Sequence, residues 1–200
     1  MDNYKNNLKL LTENHVYSKD MEHDACGVGV IASTEGKKSR EIVEYGIEAL
    51  KAVWHRGAVD ADGKTGDGAG IHVEIPKDFF IEKIEVTGHD YDNSEICVGM
   101  IFLPRNDYAA QESCKTIVES ELTKNNFSIY GWRQVPVNPK ILGEKAFQTM
   151  PEIIQVLFKS NDKNLIDKNL ERKIYETRKR IENKAFESSL GNFYICSISS

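Results

Sequence analysis

Cys26 stands at a change of texture in the chain. A polar stretch ends at Asp24-Ala25, and Gly27-Val28-Gly29 follows at once. A lone cysteine in an apolar run is ordinarily a small core residue, and composition alone favours that reading. The neighbours suggest another. If the Ala25–Cys26 bond were cut, Cys26 would carry a thiol and a free α-amino group together. An α-amine has a pKa of about 7.7–8.0, so an appreciable fraction is free base near neutral pH. It can take the thiol proton, directly or through a water, and leave a nucleophilic thiolate without any histidine. A papain-like cysteine–histidine pair is the rival arrangement. None of His15, His23, His55, His72 and His89 can be assigned to it from sequence.

Other groups invite plainer readings. Cys97, Cys114 and Cys196 each fall within an expected strand or helix with no polar neighbour, and read as core residues. The four cysteines form no CxxC pair, so neither a zinc site nor a disulfide framework is expected, and a reducing cytoplasm suits them. Arg56 at a helix end can face the dipole and solvent, and Gly57 is placed like a C-cap. Residues 59–70 form a polar, glycine-rich loop that includes Asp60, Asp62, Lys64, Thr65 and Asp67. It lacks the GxxxxGK[ST] order of a phosphate cradle, and reads as a turn-rich connection.

The elements that must hold these residues follow from periodicity. Residues 1–24 read as a short arm without a convincing amphipathic period, which Leu8, Leu10 and Leu11 could tether. Residues 25–32 are small and apolar, as in a buried strand, with glycines that mark close backbone approach. Residues 39–54 read as a helix capped by Ser39, with Ile42, Tyr45, Ile47, Leu50, Val53 and Trp54 on its apolar face. Residues 71–75 alternate like a strand, and Pro76 opens a helix. Beyond them come strand 95–103, helix 107–125 capped by Asp107, β-rich 127–137, strand 152–158, helix 165–185 and strand 192–199. The sequence stops directly after an apolar strand, so a longer natural chain is expected.

Composition bounds the rest. The chain has 200 residues, 40% apolar and 28% charged, a globular mix large enough for a real core. A net charge of −5 argues against a nucleic-acid partner. No apolar run is long enough to span a membrane, and no secretory signal opens the chain.

The ordered set of motifs is more specific than any one of them. Asp24-Ala25-Cys26-Gly27-Val28-Gly29, then Trp54-His55-Arg56-Gly57-Ala58, then Asp62 to Gly70 resemble the start of the glutamate synthase family. Gly131 to Pro139, Leu142-Gly143-Glu144, Pro151 to Leu157, Arg178-Lys179-Arg180 and Phe193 to Ser197 continue the resemblance, which covers residues 20–200. It implies a class II glutamine amidotransferase domain with the α+β, four-layer αββα sandwich of N-terminal-nucleophile hydrolases, only partly covered here. Residues 1–25 would be a propeptide-like arm and 26–200 the N-terminal portion of the glutaminase domain. Glutamine would be hydrolysed through a cysteine thioester, and the ammonia used on 2-oxoglutarate in a downstream synthase domain.

The resemblance assigns roles residue by residue. Cys26 matches the nucleophile and Arg56 the arginine beside it; Gly57 and Asp67 match substrate-site positions, and His55 is structural. No cofactor is implied for this chain, whereas FMN and an iron–sulfur cluster are implied for the full-length enzyme, with an electron-donating small subunit as a possible partner. The Asn-Gly oxyanion pair and the acidic residue for the substrate amine have no match in 1–200. The fragment alone is therefore expected to be inactive, since one oxyanion donor is worth on the order of 10²–10³ in rate. Phosphoribosyl-amine and glucosamine-phosphate amidotransferases share the cysteine and the arginine-glycine motif but are not expected to share the other stretches. A different class remains open: an unprocessed, non-catalytic module with the same fold.

Overall fold

The computed structural model describes residues 2–14, 27–54 and 57–200. Cys26, His55, Arg56 and arm residues 15–25 lie outside the described residues, as do the side chains of Leu8 and Leu11. The chain divides into two compact units, one of residues 1–57 with 69–71 and the other of 58–68 with 72–200.

The first unit holds two helices. Within the arm, Asp2–Asn14 forms a helix, α1, that the sequence did not lead us to expect. In it Lys9 pairs with Glu13 one turn on at 3.8 Å, and Leu10 is 58% exposed. Helix α2, Arg40–Ala52, starts as its sequence demands, with the Ser39 hydroxyl accepting from the Glu41 N–H. Its Ile42, Val43, Ile47 and Leu50 are half-buried, and Tyr45, Val53 and Trp54 are exposed.

Two expected strands do not form. In the described part of 25–32, Val28 and Val30 are 91% and 86% exposed. The alternating run 71–75 is likewise without strand pairing. A small or alternating apolar pattern offers a face, but a strand also needs a neighbouring edge to bond. Neither segment finds one among the described residues.

The second unit is built on a four-stranded antiparallel sheet, ordered β2-β3-β1-β4. The strands are β1 (Cys97–Leu103), β2 (Phe127–Gln134), β3 (Glu152–Ser160) and β4 (Tyr194–Ser199). Helix α4 (Tyr108–Lys124) joins β1 to β2, and α6 (Asp167–Glu187) joins β3 to β4. This is a β-α-β-β-α-β unit, and its order gives an α+β fold. Asp107 caps α4 by accepting from the Ala110 N–H at 2.9 Å.

Cys97, Ile101, Ile154, Val156, Phe158 and Ile195 on one sheet face pack with Cys114, Val118 and Leu122 of α4 and Leu170, Ile174 and Ile181 of α6. Gly99 belongs to the same face because a Cβ there would lie 2.8 Å from Val156 Cγ1. The opposite face is covered in part by α3 (Lys77–Val86), whose Phe80 and Ile84 meet Val98, Tyr130 and Leu157. Pro76 precedes α3 as its N-cap rather than its first helical residue.

Cys97 and Cys114 are core residues as expected, but Cys196 is exposed. The register passes from Ser197 opposite Met100 to Ile195 opposite Ile101. Cys196 is thus the extra residue of a β-bulge and is turned out of the alternation that would have buried it.

Candidate functional site

Gly57 does not cap α2, whose C-cap is Val53. Its N–H instead donates to the Trp54 carbonyl at 3.0 Å, closing a tight turn. A Cβ would lie 3.3 Å from that same oxygen, so the turn favours glycine by space.

Residues 58–68 are folded by their own polar groups. The Asp60 N–H donates to the Thr65 carbonyl at 2.7 Å, and the Gly63 N–H to the Asp60 carbonyl at 2.9 Å. Val59 and Gly66 form a single antiparallel bridge. Asp67 shuts the base of the loop: its Oδ2 accepts from the Ala58 N–H at 2.9 Å, and its own N–H donates to the Ala58 carbonyl at 3.4 Å. Of the expected site residues, the structure therefore ties Asp67 to Ala58, the residue that follows Arg56 and Gly57 in sequence.

Asp62 is the hub of the loop. Its Oδ1 accepts from the N–H groups of Lys64 and Thr65 at 2.9 and 2.7 Å, and its Oδ2 from the Thr65 hydroxyl at 2.5 Å. The carboxyl also faces the start of the short helix α5 (Glu144–Thr149), close to the Glu144 backbone. These donors, the Thr65 hydroxyl foremost, hold the carboxyl well below the usual carboxylate range. Helix α5 begins after Gly143, which has no side chain to cap it. Asp62 and Thr65, from a distant stretch of chain, crowd that helix start instead.

Three more contacts join the loop to this helix. Lys145 pairs with Asp60 at 2.6 Å, and the Thr65 hydroxyl oxygen accepts from the Ala146 N–H at 3.4 Å. Gly143 lies so close to the loop that a Cβ would be 2.5 Å from the Thr65 nitrogen and would overlap the Asp62 and Thr65 side chains.

Sequence reasoning assigned no role to Asp62, Thr65 or Gly143 and did not foresee α5. The available signal was Asp62 three residues before Thr65, the spacing of an Asx-type turn that accepts backbone N–H groups.

Burial raises the thiol pKa of Cys97, and pushes that of Cys114 up to about 11. Neither is poised as a nucleophile. Among the described residues, no three His, Cys, Asp or Glu side chains converge as metal ligands would. No described helix is long and apolar enough to cross a membrane.

Comparison with known proteins agrees with the motif order. The chain is 52% identical over 196 residues to the glutamate synthase [NADPH] large chain of Azospirillum brasilense, covering 98% of this chain and 13% of that one. It is 40% identical over 180 residues to ferredoxin-dependent glutamate synthase 1, chloroplastic/mitochondrial, of Arabidopsis thaliana, covering 89% and 11%. With the ferredoxin-dependent glutamate synthase of Pyropia yezoensis it shares 37% over 195 residues, covering 96% and 12%. The chain thus spans only a small part of the length of these relatives. The family profile described as glutamine amidotransferases class-II matches residues 26–200, from Cys26 onward, and the chain belongs to that family.

Proposed function

We propose that the chain is the N-terminal part of the glutaminase domain of a glutamate synthase, with Cys26 as its nucleophile. The observation that carries this reading is that the family match begins at Cys26, the residue that needs a free amine to work. Residues 1–25 are then a propeptide and 26–200 the first portion of an αββα sandwich whose second sheet is completed by later chain.

The chemistry needs little machinery. The α-amine of Cys26 accepts the thiol proton, and the thiolate attacks the side-chain amide carbon of glutamine. The tetrahedral intermediate collapses as the amine returns the proton to the leaving nitrogen, releasing ammonia and leaving a glutamyl thioester. Water attacks the thioester, glutamate leaves, and the thiol is restored. Arg56 positions the reacting groups by charge-assisted hydrogen bonds. Gly57 shapes the turn behind it, and Asp67 orients the backbone at Ala58. The ammonia is used on 2-oxoglutarate in the downstream synthase domain.

An iron–sulfur cluster takes several cysteine thiolates. Cys97 and Cys114 are locked in the core and Cys196 stands outside it on β4. The described residues do not fit a cluster, and FMN and the cluster belong to the downstream synthase domain. The reaction runs in a reducing compartment such as the cytoplasm, with an electron-donating small subunit as a further partner.

The test is the intact mass and N-terminal sequence of the longest natural chain. A mature chain starting at Cys26, with Cys26→Ser lowering glutamine hydrolysis on the order of 10⁴-fold or more, is the expected result. A mature chain still starting at Met1 would instead support the non-catalytic module.

A further inference from the structure

The most heavily engaged carboxylate of the 58–68 loop is one that the reaction above does not use. Asp62 accepts from three donors within its own turn, among them the Thr65 hydroxyl, whose oxygen accepts in turn from the Ala146 N–H of α5. It is the keystone of the loop and lies against the start of a helix that has no side-chain cap of its own. Its neighbours close the same joint: Lys145 on Asp60, Ala146 on Thr65, and Gly143 pressed against Thr65 with no room for a side chain.

A loop this polar has no apolar anchor, since none of its side chains is fully buried. Its shape depends on these hydrogen bonds and on the base closure between Asp67 and Ala58. Ala58 follows Arg56 and Gly57 directly in the chain. Whatever holds the loop therefore fixes the backbone at Ala58, the first residue beyond that motif.

We propose that Asp62 is a positioning residue for glutamine hydrolysis, clamping the 58–68 loop to α5 so that the segment after Arg56-Gly57 keeps a single arrangement; the inference rests on the function proposed above. The clamp acts through backbone, without touching substrate. Its loss lets the loop sample other arrangements, and small misplacements of reacting groups are costly.

The experiment uses the longest natural chain carrying Asp62→Ala, Asp62→Asn, Thr65→Val or Cys26→Ser. Glutamine hydrolysis is measured per Cys26 thiol titrated to its end point with an electrophilic glutamine analogue, so that unfolded molecules drop out. Asp62→Ala is expected to lower kcat/KM per titrated thiol on the order of 10- to 100-fold, with KM for glutamine raised. Asp62→Asn keeps one oxygen for the Lys64 and Thr65 N–H groups and should recover part of that loss.

A merely structural role lowers the titratable fraction and the melting temperature but leaves kcat/KM per thiol within about twofold, and that result overturns the proposal. If Asp62→Ala does not fold, Thr65→Val, which removes one hydroxyl, must show a smaller fall of the same kind; unchanged kcat/KM there overturns the proposal equally. Cys26→Ser separates the two claims. If it still hydrolyses glutamine, the proposed function falls. If it is dead while the clamp variants are unimpaired, only the clamp falls.

Discussion

The second unit contains two regions held together in opposite ways. In the sheet with α4 and α6, stability comes from apolar side chains such as Ile101, Leu122, Phe158 and Ile174, which are almost wholly excluded from water. The polar groups buried there are satisfied: the Gln111 amide donates to the Pro104 and Arg105 carbonyls, and the Thr177 hydroxyl to the Lys173 carbonyl. The 58–68 loop with α5 has no such interior. Its order is set by Asp60, Asp62, Thr65 and Asp67 acting on backbone groups that are mostly exposed. Burial scales with area and tolerates rearrangement, whereas a hydrogen-bonded loop depends on a small number of directed contacts that water competes for. The two regions should therefore separate under mutation, one governing stability and the other the precision of the candidate site.

The largest effect belongs to the sheet. Phe158 is fully buried and meets Phe127 edge-on, with ring centroids 5.3 Å apart. Phe158→Ala should cost about 3–5 kcal/mol, through lost burial and the cavity left behind. Urea unfolding would measure it. Hydrolysis per titrated Cys26 thiol should remain close to that of the unaltered chain wherever the variant is folded. A loss below about 1 kcal/mol would mean that the sheet is not the stabilising region.

A smaller effect sharpens the contrast through pH. Glu121 on α4, its side chain 11% exposed, accepts from Lys184 of α6 at 2.7 Å and from Lys124 at 3.2 Å. Lys184 is the main cause of its lowered pKa, against the opposing pull of burial. A carboxylate with a depressed folded pKa contributes stability above its unfolded pKa and loses it as pH falls through the folded value. Glu121→Gln should cost about 1 kcal/mol at pH 7, since the lysine partners are partly solvated. It should also flatten the decline in melting temperature as pH falls below the ordinary glutamate value of about 4.3. An unchanged acid limb would show that this α4–α6 contact adds nothing to the packing beneath it.

The same division explains what could be read in the sequence. Helix α4 was legible because Asp107, a cap, precedes a run of helix-compatible residues, and strand β1 because Cys97–Leu103 is an unbroken apolar stretch. Helix α5 was not, since Gly143 gives it no side-chain cap and the groups that meet its start, Asp62 and Thr65, share no local pattern with it. Cys196 looked interior from its strand, yet a bulge, set by pairing with β1, turned it outward. Residues 71–75 had the right alternation but lacked a partner edge. Periodicity reports a face, and it is silent about who will cover it. The motifs around Cys26, Arg56 and Asp67 were legible only as an ordered resemblance, because no local pattern distinguishes a site aspartate such as Asp67 from a turn aspartate such as Asp60.

The smallest expected effect tests the loop region from its outer edge. Lys145 and Asp60 form an ion pair with side chains 65% and 33% exposed. Such pairs contribute roughly 0.2–1 kcal/mol, because water screens the charges and long side chains lose freedom in pairing. Lys145→Met should therefore shift stability by less than about 0.5 kcal/mol. It should also leave the loop's own frame standing: Asp60 still accepts from the Ala61 N–H through Oδ1, its N–H still reaches the Thr65 carbonyl, and its carbonyl still holds the Gly63 N–H. Hydrogen exchange at residues 58–68 should consequently change little in Lys145→Met and rise clearly in Asp62→Ala. If Lys145→Met instead destabilised the chain as Phe158→Ala does, the loop and α5 would belong energetically to the sheet, and the opposition between a packed region and a hydrogen-bonded one would not hold.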